Sequence, residues 1–466
     1  MPPSPEPSSV RPLSPRDIVR SGLCIGCGSC AASSAVAGMQ WDATGFLKPN
    51  GPAEWYSRRS ERFARQCPFS PAAADEDQIA RERFGGAEFG NEKVGRFEAA
   101  YVGHVAEGEY RATGSSGGLV SWVAAELLRQ GLVDAVAHVA PAADGRLFEY
   151  RLSRSVAQVA QGAKSRYYPV ELSAVLREIR ATPGRYAIVG VPCFIKAIHL
   201  LRSLDPLIQE RVTHTLGLFC GHMKSAHFVE SFAWQLGTEL ERVTAVDYRV
   251  KDPTRPANWY RTTLALNDGS SVAQDWWHLA DGDWGAGFFQ NSACNACDDV
   301  VAETADIAFG DAWVEPYSSD GRGTNVVVVR SREMHELVEE AIAAGKLALQ
   351  PVDAAFVEQT QAAGLRQRRE GLAYRLTWGR CGVRLRKRVL PSRAGIPLRR
   401  RFVYRSRAAI SAWSLRIFAL ARRVQWPNLY IGWGRSALRL YQGLTYSRGR
   451  SGALFDRIER LVHPAE

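Results

Sequence analysis

From about residue 97 onward, the chain alternates between two hydrophobic periods. In "GGLVSWVAAELLRQG" the apolar residues Leu119, Val120, Val123, Leu127 and Leu128 share one face of a 3.6-residue period, and Gly131 stands where the helix would end. "LVDAVAHVA" follows as a short apolar run of strand type. Four later runs, "YAIVGVPC", "THTLGLFCG", "TADIAFGDAW" and "GTNVVVVRS", are bounded by Gly, Pro or charge and read as buried strands. Three of them lead into loops with unusual residues, and ligand sites gather at such strand ends. Helix and strand in alternation predict an α/β (α+β) core. After about residue 345 the pattern turns helical and then strongly basic. No internal repeat is present. These shifts divide the chain into a small module over 1–85, core ranges 95–180 and 181–345, and a helical extension over 346–466.

Composition adds an ordinary apolar fraction of 46 %, as in globular proteins. The start, "MPPSPEPSSVRP", has no apolar core of the kind a secretory signal or anchor needs. No run reaches the roughly 18 to 20 apolar residues of a spanning helix, so a cytoplasmic protein is expected. The net charge of +11 is uneven: residues 371–466 hold 21 Lys and Arg against 3 Asp and Glu. That bias favours an anionic surface.

Nine cysteines are too few for a disulfide scaffold, and clusters of them in a reducing compartment read as metal ligands. Cys24, Cys27 and Cys30 have C-x2-C-x2-C spacing, which lets one tight loop present three thiolates to three irons of a 4Fe-4S cube. Cys67 precedes Pro68, as the remote ligand of bacterial ferredoxins precedes a proline, and is the candidate for the fourth position. Cys193, Cys220 and the pair Cys294 and Cys297 supply four more thiolates, enough for a second cluster. Structural zinc is the alternative for either set. Cys381 reads as an unliganded thiol.

Gly114, Ser115, Ser116, Gly117 and Gly118 form a flexible turn running into a helix N-terminus. Exposed N–H groups and hydroxyls there can hold a phosphate; equally, Ser before a helix can be only a cap. No G-x-G-x-x-G stands in the right context, so a Rossmann dinucleotide domain is not supported.

In order, "TGSSGGLVSWVAAELLRQGLVDAV", "KSRYYP", "GVPCFIKAI", "GLFCGH", "CNACDDVVAETADIAFGDAW" and "GTNVVVVRS" resemble the coenzyme F-420 hydrogenase/dehydrogenase beta-subunit family, over roughly residues 20–340. That family includes divinyl chlorophyllide reductases and 7-hydroxymethyl chlorophyll a reductase. The resemblance implies an FAD-containing iron-sulfur oxidoreductase with two 4Fe-4S clusters. By position, Ser115, Ser116, Gly117 and Gly118 would contact FAD, as would Lys164, Ser165, Arg166 and Tyr167. Cys193, Cys220, Cys294 and Cys297 would hold the cluster nearest the flavin, and Cys24, Cys27, Cys30 and Cys67 the other. Asp311 would orient flavin or substrate, or only cap a turn; Gly323–Asn325 would line the same site. The chain reads Gly190, Val191, Pro192, Cys193 where relatives have Gly-Thr-Pro-Cys, and Arg166 where they have Lys. Neither change removes a metal ligand.

The implied activity moves electrons between a one-electron donor such as ferredoxin, or a deazaflavin, and a small organic acceptor. A non-catalytic electron-transfer subunit is the alternative. His104, His222 and His278 are available for proton transfer, with none assigned. In the tail, Ile410, Trp413, Ile417, Leu420 and Val424 recur at helical spacing among arginines. The expected partners for that face are an anionic membrane surface or the protein body and a partner protein; no nucleic-acid module is recognisable.

Overall fold

The computed structural model describes residues 11–142, 145–379 and 382–462, so Cys381 lies outside the described residues. Its centre is one eight-stranded mixed sheet. In chain order the strands are β1 (Ala99–Val105), β2 (Ala135–Pro141), β3 (Phe148–Ser153), β4 (Tyr186–Gly190), β5 (Val212–Leu218), β6 (Ile307–Asp311), β7 (Asn325–Val329) and β8 (Leu347–Pro351). Across the sheet the order is β8-β1-β7-β6-β5-β4-β2-β3. All five apolar runs read as strands are present. β4 and β7 are buried along their whole length, which is why they carry unbroken apolar runs rather than alternation.

The pairs β2–β4, β4–β5 and β5–β6 are parallel. β7 lies antiparallel between β6 and β1, so β1 runs the same way as β6. The C-terminal ends of β1, β2, β4, β5 and β6 therefore share one edge, and the strand-end loops singled out by sequence come together there. The sheet draws strands from both core ranges, and β8 comes from beyond residue 345. The helix expected from "GGLVSWVAAELLRQG" spans Leu119–Arg129 and buries Leu119, Trp122, Val123 and Leu127.

The N-terminal module consists of short helices, including Pro15–Arg20, Ala53–Ser57 and Glu61–Gln66, around a hairpin of Gly38–Trp41 with Leu47–Asn50. A separate three-stranded sheet is built from residues 243–275.

Most of the tail packs on the body. Val383 donates its N–H to Ser21 Oγ at 3.0 Å, Lys387 meets Asp298 at 3.0 Å and Arg388 meets Glu303 at 2.7 Å, all four of these charged side chains being buried. Helices Leu398–Arg423 and Pro427–Tyr446 form an antiparallel pair, since Arg399 near the start of one reaches the carbonyl of Leu444 near the end of the other at 2.7 Å. The expected apolar stripe splits. Ile410, Ser411, Ser414, Phe418 and Ala421 face inward, whereas Trp413, Leu420 and Val424 are about half exposed, at 51 %, 50 % and 51 %. Phe418 decides this, because its ring stacks 4.4 Å from Trp234 and packs 5.2 Å from Phe289 on the body. Among the described residues, no helix is long and apolar enough to cross a membrane.

Candidate functional site

Cys24, Cys27, Cys30 and Cys67 line one cavity, walled by apolar side chains that include Ile18, Leu23, Ile25, Phe63 and Phe69. The loop can bend around the cavity because Gly26 and Gly28 adopt φ +80° and +79°. A Cβ on Gly26 would stand 2.5 Å from the Leu47 carbonyl oxygen, so only glycine fits there. Cys67 closes the set from afar as the C-cap of helix Glu61–Gln66. Gln66 fixes that helix against the cysteine loop, donating to Ser29 O at 2.9 Å and Ser33 Oγ at 2.7 Å. The long insertion between Cys30 and Cys67 is therefore closed by helix packing. Burial pushes the Cys27 thiol up to about 12. Burial, then Cys27, Cys24 and Cys67, push Cys30 far above its ordinary value. Backbone N–H groups of Gly26, Ser29, Ala31 and Phe69 oppose those shifts by donating to the four sulfurs. Four clustered thiols, apolar walls and N–H groups aimed at sulfur fit a 4Fe-4S cube.

The second set assembles on the sheet edge. Cys193 is the second residue of helix Pro192–Arg202 after β4, Cys220 follows β5, and Cys294 lies in the 3-10 turn Ser292–Ala296 that Cys297 caps. Burial, then Cys297, Cys220 and Cys294, raise the Cys193 thiol far above its usual range, and Cys27 of the first set adds to them. The two sets are thus neighbours. Met223 donates its N–H to Cys294 Sγ at 3.3 Å. Among the described residues, no three or more His, Cys, Asp or Glu side chains form a single-ion site.

Sequence reasoning missed Arg368. It is 3 % exposed and donates to the carbonyl oxygens of Cys294 and Gly221. Burial works against its charge, but Cys297, Cys294, Cys220 and Cys193 outweigh burial and raise its pKa. In sequence it is one arginine among many.

The glycine turn leaves β1 at the same edge. Gly118 has φ +87°, and a Cβ there would stand 2.5 Å from the Tyr110 backbone. Ser115 Oγ accepts from the Ser165 N–H at 2.9 Å, and Ser116 Oγ donates to Thr324 O at 2.9 Å. Gly323 lies against Ser116, and Asn325 Oδ1 accepts from Leu119 N–H at 3.3 Å, so Gly323–Asn325 adjoin the turn. Beside it, Ser115, Arg249, Lys251, Trp259, Tyr260 and Gly321 line a pocket. Lys251 donates to Ser116 O at 2.7 Å; burial, then Lys164, Arg111 and Arg249, pull its pKa down to about 8. Arg249 forms a two-point pair with Asp311 at 2.9 and 3.3 Å, so Asp311 positions a pocket cation. Two cations, a hydroxyl and aromatic planes have the chemistry to hold a phosphate beside a ring.

Lys164 and Arg166 do not line this pocket. Lys164 pairs with Asp247 at 3.1 Å, and Arg166 turns inward to Ala163 O at 2.7 Å with its guanidinium 4.7 Å from the Phe148 ring. Tyr167 packs among Trp284, Tyr248 and Trp276, with ring centroids 4.7, 5.3 and 5.8 Å away. Of the histidines, His222 stacks 4.2 Å from Trp284, and burial, then Lys224, Arg407 and Arg368, hold it neutral. Burial also lowers His104, and His278 lies on an exposed turn.

The structure thus combines a mixed α/β core, two four-cysteine sets and a cationic pocket. The N-terminal profile of the coenzyme F-420 hydrogenase/dehydrogenase beta-subunit family matches residues 100–177, and its C-terminal profile matches residues 184–355. The chain belongs to this family, and a general redox role follows. Among solved structures, a chain of the F-420-reducing NiFe hydrogenase complex from Methanosarcina barkeri, from a xenon-derivatization study, is similar at 16 % identity and TM-score 0.49, covering 62 % of this chain and 96 % of that one. Comparison with curated proteins finds no match.

Proposed function

We propose that the chain is an FAD- and 4Fe-4S-dependent oxidoreductase, moving electrons between a one-electron donor such as ferredoxin, or a deazaflavin, and a small organic acceptor. The carrying observation is that Cys27, Cys193 and Cys294 share one buried cluster, with Cys24, Cys67 and Cys297 packed against it, because a relay needs its stations close together. When bound, clusters supply one-electron storage and a flavin supplies coupling to two-electron chemistry.

The chain's own residues have separable tasks in this reading. Cys24, Cys27, Cys30 and Cys67 hold one cluster inside apolar walls that exclude water. Cys193, Cys220, Cys294 and Cys297 hold the other, with the Arg368 cation beside them favouring added negative charge. Arg249 and Lys251 receive the flavin phosphates, Ser115–Gly118 provide backbone that can approach closely, and Asp311 orients Arg249. The triple C-x2-C-x2-C spacing of Cys24, Cys27 and Cys30, awkward for one tetrahedral ion, supports a cluster over zinc at the first set.

A second reading, a non-catalytic electron-transfer subunit of a larger complex, is favoured by the beta-subunit family itself. Electron paramagnetic resonance of the reduced chain tests the relay. Two interacting S = 1/2 signals are expected, with the interaction lost in Cys24→Ser; two signals that ignore each other would contradict it.

A further inference from the structure

The face above the first thiol set is basic, in a part of the chain where the rest is acidic. Residues 1–370 hold 38 Lys and Arg against 45 Asp and Glu, yet residues 11–67 hold 8 against 4. Helix Pro15–Arg20 explains how that charge reaches the site. Its inner face, Pro15 and Ile18, walls the Cys24 cavity, while Arg16 and Arg20, four residues apart, stand exposed on its outer face. Arg16, Arg20 and Cys24 all act on Tyr56, so the two guanidinium groups lie in the neighbourhood of the Cys24 site. Cys24, Cys30 and Cys67 are themselves only partly buried. Exposed Arg58 follows helix Ala53–Ser57, which packs against helix Pro15–Arg20. Two acids on this face are already engaged, Asp17 by Arg59 at 3.0 Å and Glu61 by Arg65 at 3.8 Å; Glu54 remains exposed.

We propose that Arg16, Arg20 and Arg58 form the docking surface for an acidic iron-sulfur carrier protein. This rests on the reading of Cys24, Cys27, Cys30 and Cys67 as a cluster site. The step is outer-sphere: the reduced carrier loses one electron, the Cys24 site gains it, no bond forms or breaks, and no proton is required. Opposite charge steers the encounter and sets the register, while the partial exposure of Cys24, Cys30 and Cys67 brings the site towards the surface. In the second set Cys193 and Cys294 are buried, whereas three of the four cysteines of the first set are only partly so, which gives the two sets distinct places in the sequence of transfer.

The test is stopped-flow reduction of the cluster-loaded full chain by a reduced plant-type ferredoxin, with reduced methyl viologen as a small cationic reductant. At low salt, the Arg16→Glu, Arg20→Glu double variant should react with ferredoxin about tenfold or more slowly than wild type. Raising salt should slow the wild type toward the variant, and the methyl viologen rate should not fall. Arg16→Gln with Arg20→Gln, which adds no acid, should give an intermediate loss. A ferredoxin rate insensitive both to salt and to these substitutions, in a chain that holds iron and is reduced by methyl viologen, would overturn the docking surface alone. A chain that takes up no iron at the Cys24 set would overturn the cluster reading and the docking proposal with it.

Discussion

Arg368 donates a hydrogen bond to the carbonyl oxygen of Cys294 from a position where it is 3 % exposed. A buried guanidinium beside four thiolates stabilises whichever state carries more negative charge, and a reduced cluster carries one electron more than an oxidised one. Arg368→Ala should therefore lower the midpoint potential of the second cluster by about 60 mV or more, a tenfold shift in a one-electron equilibrium. Arg368→Lys, which keeps the charge and loses the two-carbonyl fork, should fall between. Spectroelectrochemical titration reads both.

The cysteine sets should load independently. Cys24→Ser and Cys297→Ser should each retain about four irons, and their combination none. Iron and acid-labile sulfide assays on the three variants give the count.

In the proposed site, Lys251 should make flavin binding pH-dependent. Burial pulls its pKa down to about 8, so its cation is fully present well below pH 8 and is lost as pH rises through that value. An ordinary lysine keeps its charge to above pH 10. FAD affinity should weaken above pH 8 by up to about tenfold per pH unit, and Lys251→Met should bind weakly with that dependence gone. Fluorescence titration across pH 6.5 to 9.5 follows both proteins.

Two glycines separate backbone strain from crowding. Gly131, at φ +64°, has open space where a Cβ would go, whereas a Cβ on Gly118, at φ +87°, meets the Tyr110 backbone at 2.5 Å. Gly131→Ala should cost about 1 kcal/mol. Gly118→Ala should cost more, ~1–3 kcal/mol of strain plus displacement of the turn, and should lose FAD. Thermal melts and flavin content distinguish the two.

The strand runs and the C-x2-C spacings of Cys24, Cys27 and Cys30 and of Cys294 and Cys297 were legible in the sequence because each leaves a local signature. Strands buried on both faces carry unbroken apolar residues, and ligands on a tight loop keep fixed spacing. β3 (Phe148–Ser153), at the sheet's rim, alternates buried and half-buried positions among charged residues and gave no such signal. Arg249, Lys251 and Arg368 were invisible for a different reason. A lone basic residue reads as a solvated surface until the fold closes around it. The tail stripe misled because serines fill the inward face: Ser414 Oγ accepts the Phe289 N–H at 2.9 Å, so a polar residue lies inside while Trp413 lies outside.

The buried contacts of the tail should matter to stability. Lys387→Met removes the 3.0 Å partner of Asp298, 1 % exposed, and leaves it Arg388 at 3.5 Å; the loss should cost ~1.5–3 kcal/mol. Adding Asp298→Asn should recover much of that loss. Chemical denaturation of the single and double variants measures the difference.

The most direct test is anaerobic purification, followed by an absorption spectrum with iron, sulfide, zinc and flavin assayed on one sample. The proposal predicts about eight irons and one FAD per chain, with visible bands that bleach on reduction. A colourless chain holding zinc, even after cluster reconstitution, would contradict it.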